Sequence, residues 1–150
     1  MSERQGAAEV LTSAALRGIG RVEDARLQVE WASLLVVAPT EPASLDLWLE
    51  TALVAVAGGR YRSARRALNR LSVAAEAAGA RTATAVAALR SGDAWLAVGE
   101  AERAVEQYRS ARRRFRALGH ADEALAQLGL AAALVARGRD QEADEALERV

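Results

Sequence analysis

The chain has 150 residues and a formal net charge of zero, its 20 Arg balancing 20 Asp plus Glu, with 51% hydrophobic residues but only 4% aromatic. Cys and Lys are absent and His120 is the single histidine. This removes thiol nucleophiles, disulfides, iron–sulfur clusters, thiolate or multi-histidine zinc sites, Schiff-base lysines and the phosphate-binding Lys of a P-loop. A chain of this size is the material of one compact domain spanning 1–150.

Met1 to Gln5 carries mixed charge, and the apolar stretch that follows is broken by Glu9, Thr12 and Arg17, so no signal-peptide core is present. No later window reaches the length of a membrane span, and the chain reads as soluble and cytoplasmic with no membrane partner. Apolar residues at helical spacing predict helices over about 7–18, 22–36, 45–58, 60–78, 82–98, 100–118, 122–137 and 140–150. Nothing reads as a strand. The joins carry stop and start signals: Pro39, Thr40, Pro42 and Ser44, then Gly79 with Thr82, then Gly119 with Asp122 as a candidate N-cap.

A repeat organises these helices into pairs. Gly20, Gly59, Gly99 and Gly138 are spaced by 39, 40 and 39 residues, and each is followed five positions later by Ala: Ala25, Ala64, Ala104 and Ala143. Seven positions before each Gly stands a small residue, Ser13, Ala52, Gly92 or Ala131, which allows two helices to approach closely. Val29, Leu68, Tyr108 and Leu147 follow at nine, and Ala32, Leu71, Ala111 and Val150 at twelve, continuing one apolar stripe. Each Gly is therefore the turn of a helical hairpin. The units run over about 1–44, 45–82, 83–120 and 121–150, and the period is that of a stacked array.

The small residue before the turn, the Ala after it, and Trp48 and Trp95 on the first helices resemble tetratricopeptide repeats, helix–turn–helix units of about 34 residues. The resemblance covers essentially the whole chain. The longer period resembles long-helix variants found in large bacterial regulators and scaffolds. The large residue eleven before the Gly is present as Trp48 but is Glu9, Ala88 and Gln127 elsewhere, and the Pro that usually closes each unit is missing. The resemblance implies an all-α, right-handed superhelix of about four antiparallel hairpins that holds a protein or peptide partner on a concave face made by the first helices, without catalysis or cofactor.

Residues ten, six and three before each Gly should line that face: Val10, Ala14 and Arg17; Leu49, Leu53 and Val56; Leu89, Asp93 and Leu96; Leu128, Ala132 and Val135. Ten of the twelve are apolar, which suits an amphipathic helix laid into a groove. Leu49, Leu53, Val56, Leu89, Leu96, Leu128 and Val135 would supply the contact, and Arg17 and Asp93 would set its register. The alternative is that long helices close up and these residues are core. Family members that grip a carboxylate end use Lys, Arg and Asn on inner positions; this chain has no Lys, and its sole Asn69 lies on a second helix, which argues against that activity.

Charge is uneven. The four units carry net −2, +3, +3 and −4. Arg62, Arg65, Arg66 and Arg70 on one second helix, and Arg109, Arg112, Arg113 and Arg116 on the next, suggest an Arg-rich convex ridge for an anion or nucleic acid. Zero net charge, few aromatics and the absence of any nucleic-acid motif weigh against nucleic acid. The plainer reading is a solvated face whose arginines pair with Glu102 or Glu106.

Trp31, Trp48 and Trp95 read as core, His120 as a polar helix-flanking residue, and Arg90 with Asp93 as a local ion pair. Asp140, Glu142, Asp144, Glu145 and Glu148 read as the polar face of the last helix. No Gly-rich phosphate loop or nucleophile–base arrangement is present. The stripe Ala143, Ala146, Leu147 and Val150 has no following unit to cover it, which points to a second copy or to a longer protein. A further alternative is the sensory segment of a bacterial transcriptional regulator, binding a small molecule between helices.

Overall fold

A computed structural model describes residues 9–10, 13–35 and 42–148. Two compact units are present, Met1–Ala80 and Arg81–Val150. The first holds helical residues at 9–10 and 13–18 (α1), then α2 (Val22–Leu35), α3 (Pro42–Ala57) and α4 (Tyr61–Ala77). The second holds α5 (Arg81–Ala97), α6 (Ala101–Leu118), α7 (Glu123–Ala136) and α8 (Asp140–Leu147). No strand occurs among the described residues.

Helix boundaries follow the sequence closely, with local differences that have physical causes. Helix α3 begins at Pro42, three residues before the expected 45, because proline lacks only the N–H that a first helical residue leaves unbonded anyway. Pro39 and Thr40 lie outside the described residues, as does Val150 at the end of the last stripe. Thr82 sits inside α5, which begins one residue earlier. Asp122 stands immediately before α7, but its side chain caps nothing. The loop is held instead by His120, whose Nδ1 accepts the Asp122 backbone N–H at 3.1 Å and whose ring lies 5.1 Å from Phe115.

The turns are all made the same way. Gly20, Gly59, Gly99 and Gly138 adopt positive φ between 70° and 82°, and so do Gly79 at 66° and Gly119 at 60°. At each one the residue after the glycine donates its N–H to the carbonyl five positions back, as in Arg21 to Leu16 at 2.9 Å and His120 to Phe115 at 3.0 Å. Gly79 and Gly119 therefore stop their helices by the same left-handed step that turns a hairpin, which sequence alone had separated into two kinds of signal.

Packing explains the small residues of the repeat. Ala25, Ala64, Ala104 and Ala143 are all buried, and so are Ser13, Ala52, Gly92 and Ala131. The lack of a large side chain at each of these points lets two helix backbones approach. Helices α4 and α6 are strongly amphipathic. Ala64, Ala67, Leu68, Leu71, Ala74 and Ala75 form the buried stripe of α4, and Ala101, Ala104, Val105, Tyr108, Ala111 and Phe115 that of α6. Helices α3 and α7 carry few charges, α7 only Glu123 in its 14 residues. Burying these stripes contributes of the order of 25 cal/mol per Å² of apolar surface removed from water, the largest favourable term in either unit.

Candidate functional site

The expected inner-face residues occupy three different environments. In the first unit Val10 is buried, whereas Ala14, Leu49, Leu53 and Val56 are half-buried. In the second, Leu89 is only 3% exposed and belongs to the core with Tyr108, Leu130 and Leu134. Leu89 therefore offers nothing to a partner, because its side chain is already enclosed by α6 and α7. Leu96 is half-buried and packs against the same core. Leu128 and Val135 are 50% and 56% exposed, with exposed Leu125 and Ala132 on the same side of α7.

The two polar residues assigned to register are engaged within their own units. Arg17 of α1 forms a forked pair with Glu50 of α3, Nε to Oε1 at 3.1 Å and Nη2 to Oε2 at 3.2 Å. Glu50 is buried, and the Ser13 hydroxyl lies within 3.2 Å of its Oε1 and 3.0 Å of the Ala25 carbonyl, able to donate to either. A buried carboxylate is tolerable only when paired and hydrogen-bonded in this way. Asp93 accepts the Tyr108 hydroxyl at 2.6 Å through Oδ1 and an Arg90 Nη1 bond at 3.0 Å through Oδ2. The Arg90–Asp93 pair is thus local, and Asp93 also anchors a core tyrosine.

Tyr108 is the central side chain of the second unit. Its ring sits against two glycines, Gly92 of α5 and Gly129 of α7; a Cβ would lie 2.7 Å from the ring at the first and 2.3 Å at the second. Burial, reinforced by the Asp93 carboxylate, pushes the phenol far above its ordinary range, so it remains a hydrogen-bond donor at any physiological pH. Gln127, read from sequence only as a missing large residue, is also buried. It accepts an Arg112 Nη1 bond at 3.1 Å and donates to the Ala146 carbonyl, tying α6, α7 and α8 together. Glu50, Gln127 and Gly129 escaped sequence reasoning; the available signal was a lone polar or missing side chain within an otherwise apolar helix.

Arginines of the expected ridge are largely on exposed faces and partly occupied. In α4, Arg62, Arg65 and Arg66 are exposed, and Arg70 lies over the Trp48 ring at 5.0 Å. In α6, Arg116 pairs with Glu123 and Arg109 lies 4.0 Å from Glu142, while Arg112 is half-buried and held by Gln127. Glu102 pairs with Arg137 across the α6–α7 pair of helices, not with the α6 ridge, because the turn glycines bring the start of α6 beside the end of α7. Trp31 is 62% exposed and is not core; the apolar side of α2 is occupied by Ala25, Val29 and Ala32. Trp48 and Trp95 are half-buried, and Arg103 stacks over Trp95 at 4.5 Å. A cavity of about 200 Å³ is lined by Arg81, Arg113, Arg114, Ala117 and Leu118.

Among the described residues no group of three or more His, Cys, Asp or Glu could hold a metal ion. No described helix is long and apolar enough to cross a membrane.

This succession of helical hairpins closed by left-handed glycines is a TPR-like helical repeat fold. The chain superimposes on the nearly identical TPR-like repeats of a Podosopora anserina protein described as a kinesin light chain, with a TM-score of 0.86 at 20% sequence identity, covering 99% of this chain and 74% of that one. A single-substitution variant of the same repeats matches with a TM-score of 0.85 at 20% identity, covering 99% and 73%. At that identity the likeness is one of fold, and these neighbours are fungal, so it lends nothing to a bacterial origin. No protein-family model and no curated protein matches the chain.

Proposed function

We propose that the chain is a non-catalytic protein-interaction module that receives an amphipathic helix of a partner protein on the inner face of its first-position helices, with Leu128 and Val135 as the principal anchors. The supporting observation is α7 itself. A helix apolar on nearly every side belongs in an interior, yet α7 keeps Leu125, Leu128, Ala132 and Val135 exposed along one side. A contiguous apolar stripe of this kind marks a surface that something else covers. In the same unit the neighbouring α5 contributes half-buried Leu96, widening the stripe towards a helix-in-groove contact read by apolar residues at i, i+3, i+4 and i+7. TPR-like repeats are commonly interaction scaffolds, which favours the same reading.

The test is selection of a displayed library of helical peptides against the full chain, followed by titration of the enriched peptides. Leu128→Glu and Val135→Glu are expected to weaken binding at least about tenfold, since each places a charge in an apolar contact. Helical circular dichroism and melting temperature should stay unchanged, because both side chains are already in water in the free chain. Enriched peptides that bind both variants as tightly as the parent would overturn the proposal.

A further inference from the structure

Building on the docking role proposed above, we infer that the surface for the partner helix extends from α7 onto α8, and that the helix it takes carries Arg or Lys on the flank that meets Asp144 and Glu148. Within the second unit α7 packs against both α5 and α6. Leu89 and Tyr108 belong to the core that these three helices share, and Val86 and Leu96 pack against it. At the repeat spacing of 39 residues that separates Gly99 from Gly138, their counterparts are Leu128, Leu147, Leu125 and Val135. All four counterparts are exposed, Leu147 at 44% against 2% for Tyr108. The α7–α8 pair therefore repeats the apolar surface on which α7 itself is seated, and no helix among the described residues covers it. A helix set against it continues a contact already built inside the unit.

On the α8 flank the chemistry changes sign. Val105, buried in the core of the unit, has Asp144 as its counterpart, and Arg109 has Glu148 one turn further on. Both carboxylates are exposed and make no ion pair among the described residues. Glu142 and Glu145 lie on the other flank of α8, where Glu142 approaches Arg109 and both line a cavity with Arg109 and Arg112 of α6. A helix seated on α8 as α7 is on α6 encloses the position of Asp144, and a carboxylate enters such a contact only with a cation beside it. Two basic residues one turn apart on the helix's flank meet Asp144 and Glu148 together, while its apolar stripe covers Leu128, Val135 and Leu147. An acidic or wholly apolar helix strips water from the carboxylates and returns nothing. A second copy meeting this face by twofold symmetry covers the leucines but adds the same two carboxylates, which leaves that contact weak.

The experiment titrates the full chain, by fluorescence anisotropy, into two designed helical peptides that share one leucine stripe at i, i+3, i+4 and i+7. One peptide carries Arg beside the stripe and the other Glu. The Arg peptide should bind at least about tenfold more tightly, a difference that shrinks as salt is added. Asp144→Asn with Glu148→Gln should abolish the preference, whereas Glu100→Gln with Glu106→Gln, an equal change of charge in the same unit, should keep it. Leu147→Ala should weaken both peptides about fivefold through lost apolar contact with α8, with helical circular dichroism unchanged. Equal binding of the two peptides that Leu128→Glu weakens overturns this inference and leaves the docking role standing; equal binding that Leu128→Glu does not weaken removes both. The inference also falls if the preference survives Asp144→Asn with Glu148→Gln, or if neither peptide binds. A parent dimer that the Arg peptide cannot dissociate would give the face to a second copy and overturn it as well.

Discussion

At residue scale, Glu50 and Gly129, each nine positions before a turn glycine, show two ways in which a first helix meets its neighbours. In the first unit Glu50 reaches from α3 to Ser13 and Arg17 of α1. In the second unit Gly129 of α7, through its missing side chain, admits the Tyr108 ring. One contact is a buried ion pair and the other an aromatic ring against bare backbone. Tyr108→Phe should cost about 1.5 kcal/mol in urea unfolding, the worth of a hydrogen bond to a charged group. It should also change the pH dependence. The folded chain keeps the Tyr108 phenol protonated beyond pH 10, where an unfolded tyrosine ionises. Stability from this source is therefore complete below that pH and declines as pH rises above it, and the variant should lose that part of the alkaline decline. Parallel alkaline slopes for parent and variant would contradict it. The periodicity of Gly and Ala was legible because every copy needs the same turn and the same close approach. Glu50 and Gly129 were not legible, because equivalent positions solve the contact with opposite chemistry and the partner comes from another helix.

At element scale, two kinds of glycine do different things, and substitution separates them. Around Gly99 a Cβ would meet nothing within 4 Å, so the only penalty for Ala there is the left-handed backbone at φ 82°. Gly99→Ala should cost about 1 kcal/mol, with the rest of the structure unmoved. Gly129 is helical, and Ala would gain about 1 kcal/mol of helix propensity. Its Cβ would nevertheless fall 2.3 Å from a ring that cannot retreat because Gly92 backs it. Gly129→Ala should therefore lose about 2 kcal/mol on balance. Adding Tyr108→Leu should recover part of that loss, so that the double variant is more stable than the sum of the single changes predicts. Simple additivity in that double-mutant cycle would show that the ring does not press on Gly129. The turn glycines were visible in the sequence as punctuation at a fixed interval, whereas the packing glycines look like any other small residue.

At the scale of the whole molecule, neutrality holds twice. Residues 1–80 contain nine Arg and nine acidic residues, and residues 81–150 contain eleven of each. The acidic ends and basic middle of the chain are joined inside each unit, by Arg60 with Glu23 in the first and by Arg109 with Glu142 in the second. The imbalance visible along the sequence is thus partly consumed internally and generates little long-range repulsion between copies. With exposed Leu128, Val135 and Leu147 in the second unit, weak self-association is expected to be insensitive to salt. Sedimentation equilibrium across the micromolar range should show that association and lose it in Leu128→Glu. A strict monomer, or association that disappears on adding salt, would refute the expectation.

The ring of Tyr108 has one more consequence. It touches α5 through Gly92 and α7 through Gly129, the two helices that carry Leu96 on one side and Leu128 and Val135 on the other. The thickness of one aromatic ring is therefore the gauge that sets how far apart the two walls of the proposed docking surface stand. On that proposal a buried residue that meets no partner sets the width of the docking surface, and a smaller or larger side chain at position 108 would retune selectivity from behind without altering any residue the partner touches.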